Sequence, residues 1–153
     1  MRAITAQWFE CKVKYEKVME DSTQKSVTEQ YVVDALSFAE AEKRITEEMS
    51  AYISDSFEVT DVKKASYKEI IFADDDASAD RWYKVKLDFI TIDEKTEKEK
   101  LTRVCYLVQA ASLNGAMRAT DEVMGTTMID YEAAAVQDTK IIDVFAHVSN
   151  KNG

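Results

Sequence analysis

The chain has 153 residues, a formal net charge of −9, no Pro, three Gly and two Cys. That length fits one domain or two small halves sharing a core, and the acidity opposes nonspecific coating of phosphate backbones. Two thiols in an otherwise unstapled chain point to a reducing compartment. With no signal-like apolar run in MRAITAQWFE and no segment of membrane-spanning length, a cytoplasmic protein without a membrane partner is expected.

WFECKVKY (8–15) alternates, with Phe9, Cys11, Val13 and Tyr15 on one face and Trp8, Glu10, Lys12 and Lys14 on the other. A period of two predicts a half-buried strand. The polar stretch VMEDSTQKS (18–26) predicts a turn. VTEQYVVDA (27–35), rich in β-branched and aromatic residues, predicts a second strand and hence a hairpin. Ser37 and Glu40 have capping-box spacing. Beyond them Phe38, Ala41, Ile45, Met49 and Tyr52 form one apolar stripe, as on an amphipathic helix of about four turns. FEVTDVKKASYKEIIF (57–72) predicts one long strand, or two with a bulge.

ADDDASAD (73–80) is polar and aperiodic, and reads as a linker. Its aspartates lack the spacing of a calcium loop, so solvation rather than cation binding is expected. Strands are predicted over 81–92 and 99–111, joined by the charged turn DEKTEKEK (93–100). A helix begins near Ser112, with Leu113, Ala116, Met117, Thr120 and Met124 at helical spacing, and stops at Gly125 as a C′ residue. Strand signals return at 128–136 and 140–148.

WYKVKLDF (82–89) nearly rewrites WFECKVKY. Trp8 matches Trp82, Lys12 matches Lys86, Val13 matches Leu87 and Tyr15 matches Phe89. After one inserted residue, YVVDALSFAEA (31–41) matches YLVQAASLNGA (106–116). The pattern predicts an internal duplication of a β-β-α-β unit. The expected fold class is α+β, a mainly antiparallel sheet with two helices packed on it about a pseudo-twofold axis. The expected division is a single domain, 1–153, of two repeats: 1–73 and 81–153, with 74–80 as the acidic linker.

No spacing here names a reaction. His147 is the one histidine, Cys11 and Cys105 form no C-x-x-C, and no glycine-rich nucleotide motif is present. No cofactor and no metal is expected. The unusual feature is the strand face opposite the helices. It repeats Trp8/Trp82 and Lys12/Lys86, beside Val32/Leu107 and Asp34/Gln109, with Arg103 in the second half only. A Trp on a face expected to be wet asks for a partner. Three readings stay open: the Trp tucks under the other half, lies in a homo-oligomer contact, or stacks on a ligand ring.

The segments WFECKVKYEK, VTEQYVVDALSFAEAE and VTDVKKASYKEIIF resemble a family of short domain-of-unknown-function proteins from gut anaerobic bacteria and their phages. The resemblance implies a phage or mobile-element setting and no mechanism. By analogy with small acidic phage proteins, the expected function is non-enzymatic capture of a small nucleotide-like ligand, with sequestration of a host defence signal as one use. The site would use Trp8, Lys12, Asp34, Trp82, Lys86, Arg103 and Gln109, the aromatics stacking and the cations meeting phosphates. The alternatives are an accessory protein for single-stranded nucleic acid, which the acidity disfavours, and a structural or protein-interaction module. A homo-oligomer is expected in each case.

Overall fold

The alternating segments form strands and the capped stripes form helices. In the computed structural model, which describes residues 1–147, the strands are β1 (Arg2–Ile4), β2 (Trp8–Val18), β3 (Gln24–Asp34), β4 (Phe57–Ala65), β5 (Glu69–Phe72), β6 (Arg81–Ile92), β7 (Glu99–Ala110), β8 (Asp130–Asp138) and β9 (Ile141–Phe145). The helices are α1 (Phe38–Ser50) and α2 (Leu113–Met124). The fold is α+β with mostly antiparallel pairing. The last strand was expected to reach residue 148, which lies outside the described residues. No helix among the described residues is long and apolar enough to cross a membrane.

Both helices start where the sequence caps them. Ser37 Oγ accepts from the Glu40 amide at 3.1 Å, and Ser112 Oγ from the Gly115 amide at 3.0 Å. Each bond satisfies a donor that the first helical turn leaves unpaired. Glu40 Oε2 reaches back to the Leu36 amide at 3.3 Å, one residue earlier than a standard capping box. The buried stripe of α1 is Ala41, Ile45 and Met49. Phe38 and Tyr52, expected in that stripe, are 56% and 73% exposed, because Tyr52 lies past the helix end and Phe38 meets Phe9 only edge-on at 5.1 Å. α2 stops at Gly125, as a right-handed C-cap (φ −62°) and not the left-handed C′ residue expected. The left-handed residues are Ser22 (φ 68°) and Glu97 (φ 59°), in the turns of the two hairpins.

The chain divides into two compact units, Met1–Thr5 with Tyr67–Thr139, and Ala6–Ser66 with the segment from Lys140. In the second, here the β2 unit, the strand order is β4-β2-β3-β9. In the first, the β6 unit, it is β8-β6-β7-β5-β1. The two orders agree strand for strand apart from the added β1, which the sequence did not predict. The antiparallel register shifts at matching places, between Lys12 and Val13 against β4 and between Lys86 and Leu87 against β8.

The division therefore differs from contiguous repeats 1–73 and 81–153. The segment 57–72 is two strands, the second of the two expected forms, and they lie in different sheets. β4 pairs with β2, whereas β5 lies parallel to β7 in the β6 unit. β9 likewise lies parallel to β3 in the β2 unit. The β2 unit thus takes one strand, β9, from the other half of the sequence, and the β6 unit takes two, β5 and β1. A parallel neighbour needs a crossover and not a tight turn, so local alternation could mark these strands without marking their sheet. The two parallel strands, β5 and β9, follow one register: Glu69 stands opposite Tyr106 and Asp143 opposite Tyr31. The expected linker 74–80 is a loop of the β6 unit. Asp76 Oδ1 accepts from the Ser78 amide at 3.0 Å in an Asx turn, and Asp74 pairs with Arg2.

Each unit has a core between helix and sheet. In the β2 unit Phe9, Cys11, Val13, Tyr31 and Val33 meet Ala41, Ile45 and Met49. In the β6 unit Ile71, Tyr83, Val85, Leu87, Tyr106 and Val108 meet Ala116 and Met124. A fully buried Ile or Met contributes roughly 1.5–3 kcal/mol. The opposite sheet faces are buried as well near the start of each hairpin: Trp8 and Val32 are 1% and 0% exposed, Trp82 and Leu107 2% and 0%.

Candidate functional site

The face that the sequence marked as wet is thus dry at its Trp end. Trp8 is buried, its Nε1–H without a hydrogen-bond partner among the described residues. Trp82 is buried and meets Phe72 edge-on at 5.4 Å. Asp34 is buried, paired with Arg44, and accepts the His147 amide at 3.0 Å. Gln109 Oε1 accepts the Ala73 amide at 3.0 Å. Arg103 is exposed and forks onto Asp88 at 2.5 and 3.2 Å, which lowers the Asp88 pKa. Lys12 is exposed and Lys86 half-buried. Trp8, Lys12 and Asp34 belong to the β2 unit, whereas Trp82, Lys86, Arg103 and Gln109 belong to the β6 unit. The tryptophans are core residues, and Asp34, Arg103 and Gln109 are held by partners within their own units.

A different arrangement sits in the β2 unit where α1 runs out. Thirteen helical residues cover about 20 Å, whereas the 11-residue strands β2 and β3 extend about 36 Å. The far part of the hairpin therefore lies beyond the helix. There a cavity of about 380 Å³ opens, lined by Tyr15, Glu29 and Tyr31 of the hairpin, by Met49, Tyr52 and Ile53 at the end of α1, and by Asp143 and Phe145 of β9. Glu16, Lys17 and Asp55 complete its charged lining.

The geometry around Glu29 is specific. Its Oε1 accepts from the Tyr15 hydroxyl at 2.9 Å and from the Tyr31 hydroxyl at 2.9 Å. Phe145 stacks on Tyr31 with centroids 5.7 Å apart and planes 20° apart. Burial and the bond to Glu29 raise the pKa of both tyrosines, so each keeps its phenolic proton. The Asp143 carboxyl is pushed up by burial, against the Val144 amide that bonds Oδ1 at 2.8 Å, although Asp143 as a residue keeps much of its surface in solvent. β9 slips register between its pairings with Gln30 and Tyr31, next to this site, as bulges beside sites often do. Four carboxylates and several aromatic rings thus surround an open space with one lysine, Lys17.

The β6 unit fills the matching place. Opposite Val13 stands Glu29, and opposite Leu87, the residue matching Val13, stands Val104. Phe89 matches Tyr15. Phe89, Val104, Tyr106 and Met124 pack into one apolar cluster there. The architecture therefore does not require a carboxylate at position 29. The sequence carried this signal: Glu29 breaks the inward series Val33, Tyr31, Val27, and the repeat supplies Val at its counterpart.

Other chemistry has little geometric support. Cys11 is fully buried, and burial followed by the charge of Asp61 pushes its thiol up to about 12. No group of three or more His, Cys, Asp or Glu among the described residues is placed to hold a metal.

A family model described as "Domain of unknown function (DUF4494)" matches residues 7–147, so the chain belongs to that family. No curated protein and no solved structure matches it.

Proposed function

We propose that this member of the DUF4494 family is a non-enzymatic binding protein, and that the cavity at the end of α1 takes a small organic cation with an apolar body. The observation that carries this reading is the Tyr15–Glu29–Tyr31 constellation facing an open cavity, where the other unit has apolar packing. A carboxylate oriented by two phenols beside aromatic rings attracts positive charge, through Coulomb and cation–π terms alike. Phosphate would be repelled. A nucleotide-like ligand at Trp8, Lys12, Trp82, Lys86 and Arg103 has weaker support, since both tryptophans are buried and Arg103 is already paired with Asp88.

The same comparison supports an origin of both units in one duplicated β-β-α-β module, with the cavity opened in one copy. The shared strand order, the matching register shifts and the matching Ser caps favour that origin. A phage or mobile-element setting belongs to the proposal on the strength of the segments 8–17, 27–42 and 59–72 alone.

The test is calorimetric titration with phenethylamine, phenylacetate and adenosine monophosphate. The wild type and the double variant Tyr15→Phe/Glu29→Val, which copies the β6 unit, are compared. Binding of the amine alone, lost in the folded double variant, is the expected result. Binding of either anion in its place, or amine binding undiminished in the variant, would overturn the reading.

A further inference from the structure

The hydrogen-bonding sense of the site narrows the ligand. A tyrosine has one O–H to give, and with an ionised carboxylate as partner only the phenol can donate. Both protons, from Tyr15 and Tyr31, are committed to Glu29 Oε1. Each phenol oxygen keeps acceptor lone pairs, and Glu29 Oε2 has no hydrogen-bond partner among the described residues. Neither Glu29 nor Asp143 belongs to an ion pair among the described residues; those pairs use Asp75, Asp74, Asp34, Glu10 and Asp88. The side-chain donors on the lining away from Glu29, Lys17 and the Tyr52 and Ser54 hydroxyls, belong to exposed residues. Around the two tyrosines the unspent capacity is therefore acceptor capacity converging on one place.

We propose that the ligand is a primary ammonium on an apolar body. Its N–H groups meet Tyr15 Oη, Tyr31 Oη and the Glu29 carboxylate, and its body lies against Phe145, Met49 and Ile53. This rests on the cation-binding reading above and goes further in naming the head group. A quaternary ammonium would satisfy the aromatic rings, but it brings no N–H and sets methyl groups against the acceptors. Glu29 would lose water without gaining a hydrogen bond, the situation in which polar sites discriminate most strongly. An ammonium is tetrahedral and directs its hydrogens apart, whereas a guanidinium is a planar fork suited to one carboxylate edge.

The experiment is calorimetry on the intact chain with phenethylamine, its N,N,N-trimethyl counterpart, and Nα-acetyl-lysine methylamide as the side-chain form of the same head group. Phenethylamine is expected to bind at least about tenfold more tightly than the trimethyl compound, as loss of several hydrogen bonds requires. Tyr15→Phe, which keeps the ring and removes one acceptor, should reduce that preference to about threefold. Glu29→Gln should remove the preference if Tyr15→Phe fails to fold. Tighter binding of the lysine derivative supports the head group and assigns its source to a protein side chain. Trimethyl binding as tight as that of the primary amine overturns the head-group assignment and leaves the cation reading standing. No binding by any of the three overturns both.

Discussion

Ile71→Ala tests whether a borrowed strand stabilises the sheet it joins. Ile71 lies in the first half of the sequence, is 0% exposed, and packs in the β6 core with Tyr83, Val85, Val108 and Met124. Truncating a buried Ile to Ala costs about 2–5 kcal/mol, from lost burial and the cavity left behind. At about 3 kcal/mol, and with each 1.4 kcal/mol worth tenfold, amide exchange through sub-global opening should accelerate about 100-fold. Hydrogen-exchange mass spectrometry resolves where. The acceleration should appear in peptides from β6, β7 and β8, with those from β2 and β3 within about threefold of wild type. Phe145→Ala should do the reverse, since Phe145 packs on the β2 core. Acceleration confined to β2 and β3 in Ile71→Ala, or equal in both units, would refute the reasoning.

Ser37→Ala and Ser112→Ala should each cost about 1 kcal/mol by urea denaturation, as loss of an N-cap does; no change in midpoint would contradict the cap geometry. Alkaline pH should destabilise the fold. The folded state holds the Cys11 proton (pushed from 9.0 up to about 12) and the Tyr106 proton (from 10.0 up to about 12) more tightly than the unfolded chain does. That stability is intact below pH 9 and drains as pH climbs toward 12, so melting temperatures should fall from pH 8 to 11, and a flat profile would count against it. Asp143 has a folded pKa above its ordinary 3.8 through burial, so its ionised form is the disfavoured one. Asp143→Asn should therefore melt higher than wild type at pH 7, with the gap closing near pH 3; a lower melting temperature at pH 7 would contradict the burial argument.

Much of the fold was legible because its signals are local. The alternation at 8–15 and 82–89 marks strands, and Ser37 and Ser112 mark helix starts whatever the rest of the chain does. What was not legible is non-local. Ile70 and Ile71 read as strand residues, but nothing nearby says that they join β7 and not the strands of their own half. β1, three residues long, carries too few positions for a period. The environment of the tryptophans lay in a similar blind spot. Alternation places Trp8 and Trp82 on the face away from the helix, and only the folded chain shows that face to be buried. Glu29 was legible in principle, as a carboxylate in an inward-facing series whose repeat counterpart is Val104, but its meaning needed Tyr15 and Tyr31 to be seen bonded to it.

The most direct measurement is a nuclear magnetic resonance titration of the labelled protein with phenethylamine. The account predicts that aromatic and backbone signals of Tyr15, Tyr31 and Phe145 move together and saturably, while the indole signals of Trp8 and Trp82 stay where they are. Saturable shifts at Trp82 and Arg103 with Tyr15 and Tyr31 unmoved would contradict it.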